Sequence, residues 1–151
     1  MINSLSVPHL FDGESFHQNK TLYIEQGIIV DIKETVSASN LFPQTLLVPG
    51  FINLQVNGGG GALFNQSPTL TTLNKISQRH QTFGTTAILP TLITDNIQVM
   101  RQATNAIAQA IKLNLPCIIG IHFEGPHLSI EKKGAHKRWR HTSFRAFKCP
   151  L

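Results

Sequence analysis

Between Phe51 and Glu124 the sequence alternates two kinds of period, and nothing else in the chain restricts the fold as much. Phe51 to Asn57 (FINLQVN) changes polarity at every second residue. Phe51, Asn53, Gln55 and Asn57 share one parity, and Ile52, Leu54 and Val56 share the other. Ile119 to Glu124 (IGIHFE) behaves alike, with Ile119, Ile121 and Phe123 against Gly120, His122 and Glu124. A strand sends alternate side chains to opposite faces. Each segment is therefore expected to pack an apolar face on helices and to turn polar groups the other way. Thr85 to Ile93 (TTAILPTLI) reads as a third strand, and Pro90 within it predicts a bulge. Two helical periods lie between these strands. Ser67-Pro68 is expected to open the first, as N-cap and first helical residue, with Leu70, Leu73, Ile76 and Phe83 on its stripe and Gly84 as its stop. His80 lies near that stripe and is expected to be partly buried or at the surface. Asp95 is expected to cap the second helix, with Ile97, Met100, Ala103, Ile107 and Ile111 inward. The order β-α-β-α-β implies an α/β fold with a parallel sheet and right-handed crossovers.

Residues 1–48 show no helical period. Lys20 to Glu25 and Gly27 to Lys33 are β-rich runs around Gln26-Gly27, which is a hairpin signal, and Asp12-Gly13 marks another turn. Ser37 to Gln44 reads as a loop. The glycines from Gly58 to Gly61 have no following Lys-Ser/Thr, so they are not a phosphate-binding loop. They are expected to let the backbone turn sharply beside a site.

A basic balance raises the question of nucleic acid, and its distribution answers it. Residues 1–136 hold eight basic and all eight acidic side chains. The whole net charge of +5 comes from Lys137, Arg138, Arg140, Arg145 and Lys148. A basic tail over residues 137–151, with no clear period of its own, is expected to lie outside the evolved domain, so nucleic acid is not the expected partner. Cys117 and Cys149 have no metal-binding spacing and make no disulfide framework. No apolar run is long enough to span a membrane, and the N-terminus lacks a secretory pattern, so a cytoplasmic setting is expected.

Gly125-Pro126 ends the last strand, which puts Glu124 at its carboxyl end beside a loop. That is where α/β folds do chemistry. A carboxylate there can hold a metal, move a proton, cap a helix or join an ion pair.

Three segments, VPGFINLQVNGGGG (Val48 to Gly61), GTTAILPTLIT (Gly84 to Thr94) and HFEGPHLSIEKKGAH (His122 to His136), resemble the N-acetylglucosamine-6-phosphate deacetylases of the amidohydrolase superfamily. The resemblance implies a small β-sandwich segment over residues 1–48 and, over residues 49–136, the first three βα units of a (β/α)8 TIM-type barrel. Such a barrel takes about 250 residues, so a truncated one is expected. The implied reaction is hydrolysis of the acetamide of N-acetylglucosamine 6-phosphate to glucosamine 6-phosphate and acetate. The implied cofactor is one divalent metal ion, zinc by expectation. The family is typically a homodimer.

By this resemblance Glu124, in Glu-Gly-Pro, is the metal-binding glutamate, and Ala135 and His136 contact the sugar. Gln55 and Asn57 stand where many amidohydrolases carry His-x-His. An amide is a poorer zinc ligand than imidazole, so both are expected to line the pocket by hydrogen bonds. His122 and His127 are expected to act as supports rather than as metal ligands. The family's catalytic aspartate and two further histidines belong to later strands, so this chain alone is expected to be inactive. The readings to set against these are another amidohydrolase of dihydroorotase or adenine-deaminase type, a non-catalytic protein that uses its basic tail on nucleic acid, and a non-functional remnant.

Overall fold

The structure, a computed structural model, describes residues 2–35, 45–125, 131 and 134. It divides into two units, Met1–Pro49 and Gly50–Leu151.

The first unit is a sheet of four strands, β1 (Ile2–Phe11), β2 (Phe16–Glu25), β3 (Ile28–Glu34) and β4 (Leu46–Leu47), in the order β3-β2-β1-β4. β1, β2 and β3 form an antiparallel meander, and β4 joins β1 in parallel. Both expected turns are present. Gln26 and Gly27 have φ of 50° and 81°, the paired positive values that a two-residue hairpin turn needs to match strand twist. At the first turn the Asp12 carboxylate accepts from the amides of Glu14 and Ser15, each at 2.8 Å, and bonds His17 Nε2 at 2.6 Å. These bonds, with the Ser15 amide foremost, then Glu14 and His17, hold the Asp12 carboxyl well below the usual carboxylate range. Val7, Leu10 and Leu22 make the small core, and the hydroxyls of Ser6, Thr21 and Thr35 form a hydrogen-bonded row beside it. The loop expected over 37–44 lies outside the described residues.

The second unit follows the alternation read from the sequence. β5 (Phe51–Val56), α1 (Leu70–Gln81), β8 (Thr85–Ile93), α2 (Ile97–Lys112) and β9 (His122–Glu124) build a parallel sheet in the order β5-β8-β9. The short strands β6 (Gly58–Gly59) and β7 (Ala62–Leu63) form an antiparallel pair between β5 and α1. Leu73 and Ile76 of α1, Ile88 and Leu92 of β8, and Ala103, Ile107 and Ala110 of α2 pack into one core with Val56, Phe64 and Ile118. The alanines matter here. They let α2 approach closely while the branched side chains fill the gap. Ser77, fully buried in α1, donates to the Pro116 carbonyl at 2.5 Å and ties the helix to the turn before β9.

Several expectations are corrected in detail. Thr69, not Ser67, caps α1; its extended backbone lets its hydroxyl accept from the Thr72 amide at 3.3 Å. Asn96, not Asp95, caps α2, accepting from the Val99 amide at 3.0 Å. Phe83 lies past the end of α1 and is exposed beneath the Arg79 guanidinium, 4.5 Å from its ring centre. Ile111 is exposed because the buried stripe runs through Ala103, Ala106, Ile107 and Ala110, which leaves it at the margin. Ile119 is also exposed, since β9 begins only at His122 and Ile118 bridges to Ile88 before it.

The largest correction concerns β5. Ile52 and Leu54 are 65% and 60% exposed, while Val56 is 3% exposed. β5 is the outer strand of its sheet, and its register with β8 passes from Asn53–Ile88 to Val56–Pro90. Leu54 and Gln55 thus oppose Leu89 alone. An extra residue in one strand resets the alternation beyond it. The irregularity beside Pro90 is real, but there the extra residue belongs to β5; a separate shift, from Phe51–Thr85 to Ile52–Ala87, leaves Thr86 of β8 as the extra one.

Candidate functional site

The parallel register brings the ends of the three strands to one rim. Val56 of β5 pairs with Pro90, and Thr91 pairs with His122 of β9. Asn57 follows Val56 and so stands level with Thr91 and His122; Glu124 lies two residues further along β9, paired with Ile93, at the same end of the sheet. In β9, Phe123 packs on the helix-backed core, so alternation carries His122 and Glu124 to the opposite face. Glu124 also borders a shallow recess with Asp95, Thr94 and Met100, and its backbone carbonyl accepts from Thr94 Oγ1 at 2.9 Å.

Gln55 is exposed within the bulge, and Asn57 is half-buried. The Asn57 backbone carbonyl accepts from the Phe64 amide at 2.9 Å. Its side-chain Nδ2 is buried and, among the described residues, has no hydrogen-bond partner. A buried N–H without a partner is costly. Its natural complement is an oxygen acceptor, and an N–H cannot coordinate a cation.

After Asn57 the chain turns back at once. Gly60 and Gly61, with φ of 59° and 75°, make the tight turn that pairs Gly58–Gly59 with Ala62–Leu63. Side chains have no room there. A methyl at Gly58 would run into the Ala62 carbonyl, and one at Gly60 would stand 3.0 Å from the Lys75 carbonyl of α1. His80 Nε2 donates to the Gly58 carbonyl at 3.2 Å. The glycines therefore seat the hairpin against α1 directly beyond the rim.

One residue of the rim has no signal in the sequence. Asn65 uses its side chain as a strand would use its backbone: Oδ1 accepts from the Ile93 amide at 2.8 Å and Nδ2 donates to the Ile93 carbonyl at 2.9 Å. Nδ2 also approaches Asp95 Oδ2 at 3.3 Å. The side chain thus takes a place beside the end of β8 that β5 vacates when it turns into the glycine hairpin. An asparagine in a polar loop belongs to no period, so pattern reading passes over it. Sequence reading passes over Thr91 as well, although a hydroxyl inside an apolar strand is a visible signal. It is fully buried, and its Oγ1 accepts from the Val56 amide at 2.9 Å.

Ala135, His136 and His127 lie outside the described residues, as does the tail over 137–151. Among the described residues no three His, Cys, Asp or Glu side chains are grouped to hold a metal ion. A catalytic zinc site takes about three protein ligands. The described part of this chain therefore does not fit a whole metal centre; Glu124 is a single candidate ligand. No described helix is long and apolar enough to cross a membrane.

No protein-family model matches the chain. Individual proteins do. It is 52% identical over 120 residues to the N-acetylgalactosamine-6-phosphate deacetylase of Shewanella sp. (strain ANA-3), covering 75% of this chain and 30% of that protein. It is 38% identical over 91 residues to the N-acetylglucosamine-6-phosphate deacetylase of Haemophilus influenzae, covering 60% of this chain and 24% of that one. The crystal structure of N-acetylglucosamine-6-phosphate deacetylase from Pasteurella multocida superimposes with a TM-score of 0.78 at 29% identity, over 91% of this chain and 38% of that one. This chain thus spans less than a third of the length of both curated relatives. Over that part, in sequence and in fold, it belongs to the N-acetylglucosamine/N-acetylgalactosamine-6-phosphate deacetylase family.

Proposed function

We propose that the chain supplies the first part of a site that removes the acetyl group from an N-acetylamino-sugar 6-phosphate. The observation that carries this reading is the placement, at one end of a parallel sheet, of Glu124 and of an Asn57 amide that is buried and without a partner among the described residues. In the reaction the oxygen of water bonds to the acetamide carbonyl carbon and the C–N bond breaks. Acetate leaves, and the sugar nitrogen gains a proton. N-acetylglucosamine 6-phosphate is the substrate that the three motifs imply, giving glucosamine 6-phosphate. The name of the Shewanella relative favours a second reading, the galacto epimer.

Glu124 is proposed as a ligand of one divalent ion, zinc by the same reading. Such an ion, when bound, polarises the carbonyl and acidifies water. Gln55 and Asn57 are proposed to line the pocket, with Asn57 Nδ2 donating to a substrate oxygen. Ala135 and His136 are proposed to contact the sugar. The arrangement is read as the opening βα units of a TIM-type barrel, with residues 1–48 contributing to a β-sandwich. A cytoplasmic setting accords with the free thiol of Cys117. Assembly as a homodimer rests on the resemblance alone.

By itself the 151-residue chain is proposed to be inactive, since Glu124 stands without a grouped set of ligands among the described residues. Joining residues 1–136 to the remaining length of the Shewanella relative tests the function. Acetate release from one of the two sugar phosphates is expected, and loss of it in the Glu124→Ala form. A folded chimaera that releases acetate from neither substrate would overturn the deacetylase reading. Turnover by the unjoined chain, sensitive to Glu124→Ala, would overturn only its inactivity.

A further inference from the structure

The β5 bulge leaves backbone groups that the ladder does not pair, and three side chains attend to them. Asn53 Oδ1, from within β5, accepts from the Gln55 amide at 3.1 Å. Thr91 Oγ1, from β8, accepts from the Val56 amide. His122, from β9, places Nδ1 2.9 Å from the Leu54 carbonyl oxygen. A carbonyl oxygen can only accept, so Nδ1 must carry the proton, and the neutral ring then has Nε2 as an acceptor. β8 lies between β9 and β5, so this contact spans the sheet across its middle strand.

We propose that His122 is the positioning residue of the rim: by holding the Leu54 carbonyl from two strands away, it fixes the bulge and thereby the places of Gln55 and Asn57. The consequence for the substrate rests on the function proposed above; the bond and its effect on the bulge do not. A histidine suits this task because it is rigid and reaches further than a hydroxyl. An apolar residue at 122 would leave the Leu54 carbonyl to water and the bulge held by two contacts instead of three.

The test uses the ¹⁵N-labelled full chain and two readouts that need no substrate. Long-range ¹H–¹⁵N spectra of the wild type are expected to show His122 protonated at Nδ1. An Nδ1 without a proton would overturn the proposal, and this holds even where a variant fails to fold. Amide exchange is the second readout. His122→Ala is expected to speed exchange at Gln55 and Val56 by about three- to tenfold, the scale of one net hydrogen bond, without changing Leu92 in the core. His122→Asn, whose side-chain N–H falls near the place of Nδ1, is expected to stay within about twofold of wild type on the same scale. Unchanged exchange in the alanine form, or equal acceleration in both forms, would sink the proposal. Failure of the chimaera to release acetate would leave these results standing, so the two readings fail separately.

Discussion

Asn65 gives the sharpest test of the rim. Its amide makes two bonds to one residue, Ile93, which itself pairs with Glu124 across β8 and β9. Asn65→Ala removes both bonds at a part-buried position. At about 0.5–1.5 kcal/mol net for each bond, the expected loss is about 1–3 kcal/mol. Asn65→Asp is more informative because it keeps the acceptor and replaces the donor. The new oxygen would face the Ile93 carbonyl and the Asp95 carboxylate, where Nδ2 now stands 3.3 Å from Oδ2. Two unit charges at that spacing repel by about 1 kcal/mol in water and about 5 kcal/mol at an effective dielectric of 20. Solvent access at the rim favours the lower end. Asn65→Asp is therefore expected to lose about as much as Asn65→Ala, or somewhat more, at pH 7.

The sign with pH separates the two variants. In Asn65→Asp, repulsion between the introduced carboxyl and that of Asp95 raises the folded-state pKa of the pair above its unfolded value. The penalty is thus fully present above the folded pKa, and it is relieved as pH falls through that value towards about 4, where one carboxyl takes a proton. Urea unfolding of wild type, Asn65→Ala and Asn65→Asp, followed by circular dichroism at pH 7 and pH 4, measures this. The reasoning is refuted if Asn65→Ala stays within about 0.5 kcal/mol of wild type, the range of ordinary surface substitutions. It is equally refuted if the Asn65→Asp deficit is the same at both pH values.

Two further outcomes follow from the packing and from the first turn. Leu73 is fully buried between α1 and the sheet, so Leu73→Ala is expected to cost about 2–5 kcal/mol in urea unfolding; a loss below about 1 kcal/mol would show that the core is not packed as described. The Asp12 carboxyl is lowered in the folded chain, so its charge stabilises the turn above the unfolded pKa of about 4, and that contribution is lost as pH falls towards the folded value. Asp12→Asn keeps the acceptor oxygen without the charge. It should be less stable than wild type at pH 7 and match it at strongly acidic pH, and a gap that persists in acid would contradict the assignment.

The sequence revealed what is periodic and what is terminal. The bounds of β8, the existence of both helices and the first two turns follow from alternation, helical stripe and turn chemistry. Each of these is written locally. Cap positions slipped by one or two residues because Ser67, Thr69, Asp95 and Asn96 all offer an oxygen, and only backbone geometry chooses among them. The faces of β5 were misread because Pro90 announces an irregularity without saying which strand absorbs it. At the rim, Glu124 could be found from its place between a strand and Gly125-Pro126. The contact of His122 with Leu54 and that of Asn65 with Ile93 join residues far apart in the chain, and no window of sequence contains both partners.

The two sheets differ in how the chain must close to make them. In the meander of β1, β2 and β3 each strand meets its partner across a tight turn, and little chain has to be ordered first. Every pair in the parallel sheet spans a whole helix, as Phe51 with Thr85 and Thr91 with His122. Closure entropy and contact order therefore fall unevenly along the polypeptide. A nascent chain leaving the ribosome has its whole meander available before the first crossover helix has been synthesised, and the rim that carries Glu124 is the last of the described architecture to be completed.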